Sequence, residues 1–189
     1  MFTTNPFAEL SAAIAPAVMQ GYVVLMIILV VAGTLFDVIH KGSAKYFFAN
    51  FRKSKEQGSP IDFSTKVRIA MQTFASAVLT SSEFCSQKRR IAHLLGMYGF
   101  VLNVVATFMM VMFYTMPNVA TPAIWPQLWY IGALMVCVGG YWFWFFIRVD
   151  VAAEGSSPLR LMRADLFILS LLASNTFAVI WAYAQSVAS

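Results

Sequence analysis

Apolar positions along the chain fall into long unbroken tracts separated by short polar or proline-bearing segments, the pattern of membrane spans. The first uncharged tract covers residues 10–36, longer than the roughly 20 residues needed to cross about 30 Å of hydrocarbon. Pro16 lies near its start, where a helix tolerates proline, and a span is expected at about residues 15–39. Residues 91–147 carry no charged side chain and are too long for one helix. The sequence MPNVATPAIWP divides them, because its prolines remove backbone donors and disfavour helix in the residue before each. Spans are therefore expected at about residues 90–114 and 126–148, and a last one at about 164–187 after a short polar connection.

The connection 40–89 has its own pattern. In HKGSAKYFFANFRKSKEQGSP, basic and aromatic residues alternate as in a segment resting on lipid headgroups. Further on, Phe63, Val67, Met71, Phe74 and Val78 recur at helical spacing, with Lys66, Gln72, Thr73, Ser76 and Thr80 on the polar side. The uncharged part of this stretch, 69–82, is short and rich in Ser and Thr, so 61–80 reads as a surface or re-entrant helix and not a fifth span. The expected fold is an all-α integral membrane protein. It is a four-transmembrane-helix bundle with an additional amphipathic cytoplasmic-side or re-entrant helix, forming a single membrane domain over residues 1–189. Small residues suggest how the spans pack: Ala92, Gly96, Gly99, Asn103 and Thr107 trace one face of the second, and Ser170, Ser174, Ala178 and Ala182 one of the fourth. Gly139 and Gly140 serve either helix packing or room for a flat ligand.

Composition agrees with this class. With 60% hydrophobic and 11% charged residues, the chain is too apolar for an ordinary soluble domain. The net charge of +5 comes from cations flanking apolar runs, which points to the inner leaflet and not to nucleic acid. Of the 13 Lys and Arg, Lys41, Lys45, Arg52, Lys53, Lys55, Lys66, Arg68, Lys88, Arg89 and Arg90 lie between the first and second spans. Arg148, Arg160 and Arg163 lie between the third and fourth. Four spans place both groups on the cytoplasmic side and both termini on the other; a fifth would separate Lys88 from Lys41 and Arg52. Trp125, Trp129, Tyr114, Trp181 and Tyr183 then form the outer aromatic belt, and Trp142 and Trp144 the inner one. No Lys or Arg precedes the first tract, so it reads as a retained helix and not a cleaved leader. Cys85 and Cys137 have no CxxC spacing, which argues against a zinc site or a locally held iron–sulfur cluster.

Few residues can carry chemistry. The spans hold no charge near their middles, so proton pumping and ion-coupled transport lack their usual ionisable groups. His40 ends the first span and His93 begins the second, on the same side and at similar depth. Two imidazoles from neighbouring helices are the usual axial pair of a b-type haem, which makes one haem b a candidate cofactor; the plainer reading is two interface residues satisfied by headgroups and water. A quinone headgroup needs an apolar slot with one or two donors near the interface, for which His93, Tyr98, His40 and Lys45 are the candidates. Lys41, Lys45, Arg52, Lys53, Lys55, Lys88, Arg89 and Arg90, with Tyr46, Phe47, Phe48 and Phe51, form a docking surface for an acidic partner, or simply set topology and lipid anchoring.

FDVIHKGSAKYFF after the first span and SSEFCSQKRRIAHLLGMYGF entering the second resemble the membrane-anchor subunit associated with dissimilatory adenylylsulfate reductase. They are also similar to the membrane part of the quinone-interacting membrane-bound oxidoreductase. The resemblance covers the first two spans and their connection. It implies a subunit of the bacterial cytoplasmic membrane that holds a cytoplasmic flavin/iron–sulfur oxidoreductase and lets it exchange electrons with the quinone pool in sulfur metabolism. The chain lacks the cysteine-ligated cluster domain of the larger relatives, so any clusters belong to the partner. Alternatives are a single-haem cytochrome b subunit of another dehydrogenase, or a small transporter or membrane assembly factor without a redox role.

Overall fold

The computed structural model describes residues 2–58, 62–116, 118–149, 155, 157–163 and 165–188. Pro117 of the proline-rich turn, residues 59–61 and 150–154 of the two basic connections, and Ala164, where the last span is expected to begin, lie outside the described residues. Helices account for the architecture: α1 (Pro6–Leu10), α2 (Pro16–His40), α3 (Ser43–Gln57), α4 (Phe63–Thr73), α5 (Gln87–Phe113), α6 (Ile124–Trp142) and α7 (Asp165–Ala188). α4 runs on as a π-helix over Phe74–Leu79, and α6 as another over Phe143–Ile147. Four of these are long and apolar enough to cross a membrane: Pro16–His40, Gln87–Phe113, Ile124–Ile147 and Asp165–Gln185. Within the stretch 61–80, Phe63–Leu79 is an amphipathic helix too short to join them.

Local chemistry sets several boundaries. Asn5 caps α1, its Oδ1 accepting from the Phe7 and Ala8 amides at 3.0 and 3.4 Å, and Pro6 fills the first helical position. Gly42, at φ 66°, makes the left-handed turn between α2 and α3 that a residue with a β-carbon adopts only with strain. Asp62 caps α4 by accepting from the Ser64 amide at 3.1 Å and from the Ser64 hydroxyl. Those bonds, with the Phe63 amide, hold its carboxyl below the ordinary 3.8.

The packed unit is built on α6. Along α5, the small face Ala92–Gly96–Gly99–Asn103–Thr107 meets it antiparallel. A β-carbon on Gly132 would lie 2.7 Å from the Gly99 carbonyl, and one on Gly139 would lie 2.7 Å from the Ala92 carbonyl. The two backbones are thus as close as glycine allows. Polar groups on the same face are satisfied across the interface: Asn103 Nδ2 donates to the Trp129 carbonyl at 3.2 Å, and Trp129 Nε1 to the Thr107 hydroxyl at 2.8 Å. α7 packs on an adjacent side of α6, where Gly140 faces Leu172 and the Tyr130 hydroxyl donates to Gln185 Oε1 at 2.9 Å.

Two expectations about packing are corrected. The face of α7 turned to α6 is Leu172, Asn175, Ala178 and Ala182, all buried. Ser170 and Ser174 are exposed and return their hydroxyls to the carbonyls of Phe167 and Leu171. A serine satisfied by its own helix needs no neighbour, so the Ala178 and Ala182 half of the stripe lies in the interface and the serine half does not. Nor is the bundle evenly four-helical, because α2 stands at the edge. Met19 is its one buried residue, and Gln20 Nε2 donates to the Val111 and Met112 carbonyls at 3.3 Å each. The physical reason is that the close-approach face of α5 is already occupied by α6, while Gly21 and Gly33 of α2 have nothing within 4 Å.

Candidate functional site

These antiparallel contacts bring the start of α5, the end of α6 and the start of α7 to one end of the molecule. α2 runs antiparallel to α5, so its His40 terminus points the same way. Most of the cations cluster here, and we call it the basic end. Since Gly139 faces α5 and Gly140 faces α7, one step of about 100° on α6 splays the two flanking helices. Between them lies a cavity of about 610 Å³, lined by Arg89, His93 and Gly96 of α5, Val136, Gly139 and Gly140 of α6, and Phe167 and Leu171 of α7, among others. Its remaining walls are apolar, and Arg89 and His93 are the polar side chains among the lining residues. They stand four residues apart on one helix and so share a face. Phe84, from the turn before α5, also lines the cavity, its ring centroid 4.9 Å from that of His93.

The π-helical end of α6 contributes Phe143 and Ile147 to the cavity. The extra residue in that turn leaves Phe145 and Phe146 exposed while Trp144, Ile147 and Arg148 are buried. Arg148 is wholly buried. Its Nε and Nη2 donate to both Asp165 oxygens at 3.2 and 2.6 Å, and its Nη1 and Nη2 donate to the Ser157 and Arg160 carbonyls at 2.7 and 2.6 Å. The guanidinium carbon lies 4.3 Å from the centroid of the Trp144 ring. Asp165 in turn accepts from the Met162 amide at 2.7 Å. This buried pair, with its donors spent on carboxylate and carbonyls, fixes the end of α6 against the start of α7 and so holds two walls of the cavity together. Trp144, expected in an aromatic belt, is instead covered by Arg148.

The sequence-derived candidates separate. His93 lines the cavity and His40 does not; His40 is exposed and stacks on Phe36 with centroids 5.4 Å apart. Met97, the other lining residue able to ligate iron, is one turn from His93 on the same helix and cannot take the opposite face of a ring. Among the described residues that line this cavity, His93 is therefore the imidazole, and His40 lies outside the lining. Tyr98 is outside the lining, with its hydroxyl donated to the Leu79 carbonyl at 2.7 Å. Lys45 is exposed on α3. Among the docking residues, Arg52, Lys53, Lys55 and Lys88 are exposed, Lys41 pairs with Asp37 at 2.9 Å, Arg89 turns to the cavity, and Arg90 Nε donates to the Thr80 carbonyl at 2.6 Å. Arg89, Gly96 and Phe84 were not among the ligand candidates. The signal for Arg89 and Gly96 is their helical spacing from His93; the turn that brings in Phe84 has none.

No family model, curated protein or solved structure matches the chain.

Proposed function

We propose that this chain is a four-span subunit of the bacterial cytoplasmic membrane that holds a soluble flavin/iron–sulfur oxidoreductase at its basic end and passes electrons between it and quinone. The cavity beside α5 carries the reading. It is apolar, is floored by two glycines, has Arg89 and His93 at one side, and is flanked by the exposed rings of Phe100 and Phe167. A quinone ring is flat and apolar apart from its two carbonyl oxygens, which need donors; the guanidinium and imidazole supply them, and the imidazole can exchange a proton with water at the same end. The orientation, with both termini outside, follows from the distribution of Lys and Arg. The resemblance of residues 36–48 and 81–100 to the adenylylsulfate reductase anchor supplies the partner's class. Exposed Lys53 and Lys88 offer it an electrostatic landing area.

The test uses an azidoquinone photolabel on the purified full chain. A β-carbon on Gly96 meets nothing within 4 Å, and Gly96 lines the cavity, so Gly96→Leu is chosen to occupy it. Labelling of α5 and α6 peptides is expected in the parent chain, several-fold less in Gly96→Leu and in His93→Ala. Equal labelling in all three would remove the site. Pull-down from solubilised membranes that recovers no flavin or iron–sulfur protein would remove the partner. A dithionite-reduced minus oxidised spectrum with an α band would favour the haem reading.

A further inference from the structure

We infer that α3 and α4 form a collar that lies in the headgroup layer of an anionic lipid leaflet, with their aromatic faces turned to the acyl chains. This goes beyond the redox reading and does not depend on what fills the cavity.

The first observation is where the two helices are fixed. Two residues, Lys41 and Gly42, separate the end of α2 from the start of α3, across the left-handed turn at Gly42. The far end of the α4 segment is tied to α5 by Arg90 Nε, in its first turn, on the Thr80 carbonyl and by the Tyr98 hydroxyl, about three turns into the helix, on the Leu79 carbonyl. The Gly42 turn is at the end of α2 and the Arg90 bond at the start of α5, both at the basic end, and the Tyr98 bond draws Leu79 inward from that level. A connection pinned at those two points starts and finishes at the level of the lipid headgroups.

The second is what the helices expose there. Phe47, Phe48 and Phe51 fall within an arc of about 100° on α3, and Phe47 and Phe51 are 62% and 61% exposed. Phe63, Val67 and Met71 fall within about 80° on α4, with Phe63 at 77% and Met71 at 69%. Such faces in water are costly, and both belong to consecutive elements of one connection.

The third is the placement of charge. Residues 41–58 hold Lys41, Lys45, Arg52, Lys53 and Lys55 against Glu56 alone. On α3, Lys45 and Arg52 lie about 40–60° beyond the Phe48 edge of the aromatic arc and Lys55 falls within it, one turn past Phe51 at the C-terminal end of the helix; on α4 Lys66 and Arg68 flank the apolar arc on either side. Cations at the rim of an apolar stripe can bury their stems and keep their charges among lipid phosphates. Ala49, Thr65 and Gln72 are left on the water side.

Nitroxide labels on the full chain in vesicles provide the test, with Cys85→Ser and Cys137→Ser as background. Labels at Phe47→Cys, Phe51→Cys, Phe63→Cys and Met71→Cys are expected to show several-fold higher accessibility to oxygen relative to a nickel chelate than labels at Ala49→Cys, Thr65→Cys and Gln72→Cys. The vesicles contain phosphatidylcholine with phosphatidylglycerol, and the contrast at the α3 sites should shrink in phosphatidylcholine alone. Equal accessibility on both faces overturns the inference. So does shielding of the first set from both reagents, the signature of a protein partner or a second copy, and so does an α3 profile that ignores phosphatidylglycerol.

Discussion

Replacing Gly132 by alanine probes the contact on which the packed unit rests. The new β-carbon would lie 2.7 Å from the Gly99 carbonyl oxygen and 2.9 Å from the Asn103 nitrogen. Both are backbone atoms, so no side chain can swing away. Restoring ordinary van der Waals separation requires α5 and α6 to part by about 0.7 Å. That would lengthen the 3.2 Å bond from Asn103 to the Trp129 carbonyl beyond hydrogen-bonding range. Overpacking of this kind costs about 1–3 kcal/mol, and the lost hydrogen bond adds about 1 kcal/mol. Alanine's better helix propensity returns up to about 1 kcal/mol. The net is a destabilisation of about 1–3 kcal/mol. Gly33→Ala is the matched control, since its β-carbon would meet nothing within 4 Å, and it is expected to be neutral or stabilising by up to about 1 kcal/mol. Unfolding in mixed micelles of mild detergent and SDS, followed by circular dichroism, measures both. The reasoning fails if Gly132→Ala is as stable as Gly33→Ala, because the helices would then not be in backbone contact at that point.

The Arg148 cluster and the α4 cap give two more expectations. Arg148→Met should cost about 3–5 kcal/mol by leaving a carboxylate without its buried partner; adding Asp165→Leu should recover part of that loss in the same unfolding assay, and a double variant less stable than the single one would contradict the account. For Asp62, hydrogen bonds from Ser64 and Phe63 favour the ionised carboxyl, so its folded value lies below its unfolded one. The cap therefore contributes fully above the ordinary 3.8 and is lost as pH falls through the lowered folded value. A carbon-13 titration of the Asp62 carboxyl in micelles should give a midpoint below 3.8, and a midpoint at or above it would rule out the capping bonds.

How much of this was legible beforehand depends on whether a feature is written along one helix or between two. Apolar length is a property of a single segment, so the four long helices could be read directly, and the face Ala92–Gly96–Gly99–Asn103–Thr107 carried its own i, i+3 and i+4 spacing. The same spacing misled on α7, because Ser170 and Ser174 satisfy their hydroxyls within the helix while Asn175, next to Ser174 in sequence, takes the buried position. Small size permits an interface but does not choose it. The cavity required knowledge of pairs: Gly139 against α5, Gly140 against Leu172, and hence two helices held apart at one end. His93 could be picked out as an unusual residue, whereas His40 had the same claim in the sequence and lies outside that cavity. The bond between Arg148 and Asp165 spans a polar connection whose charges read as topology signals. Only the π-helical turn at Phe143–Ile147, invisible in an aromatic run, brings Arg148 beneath the start of α7 and closes the end of the molecule where the cavity forms.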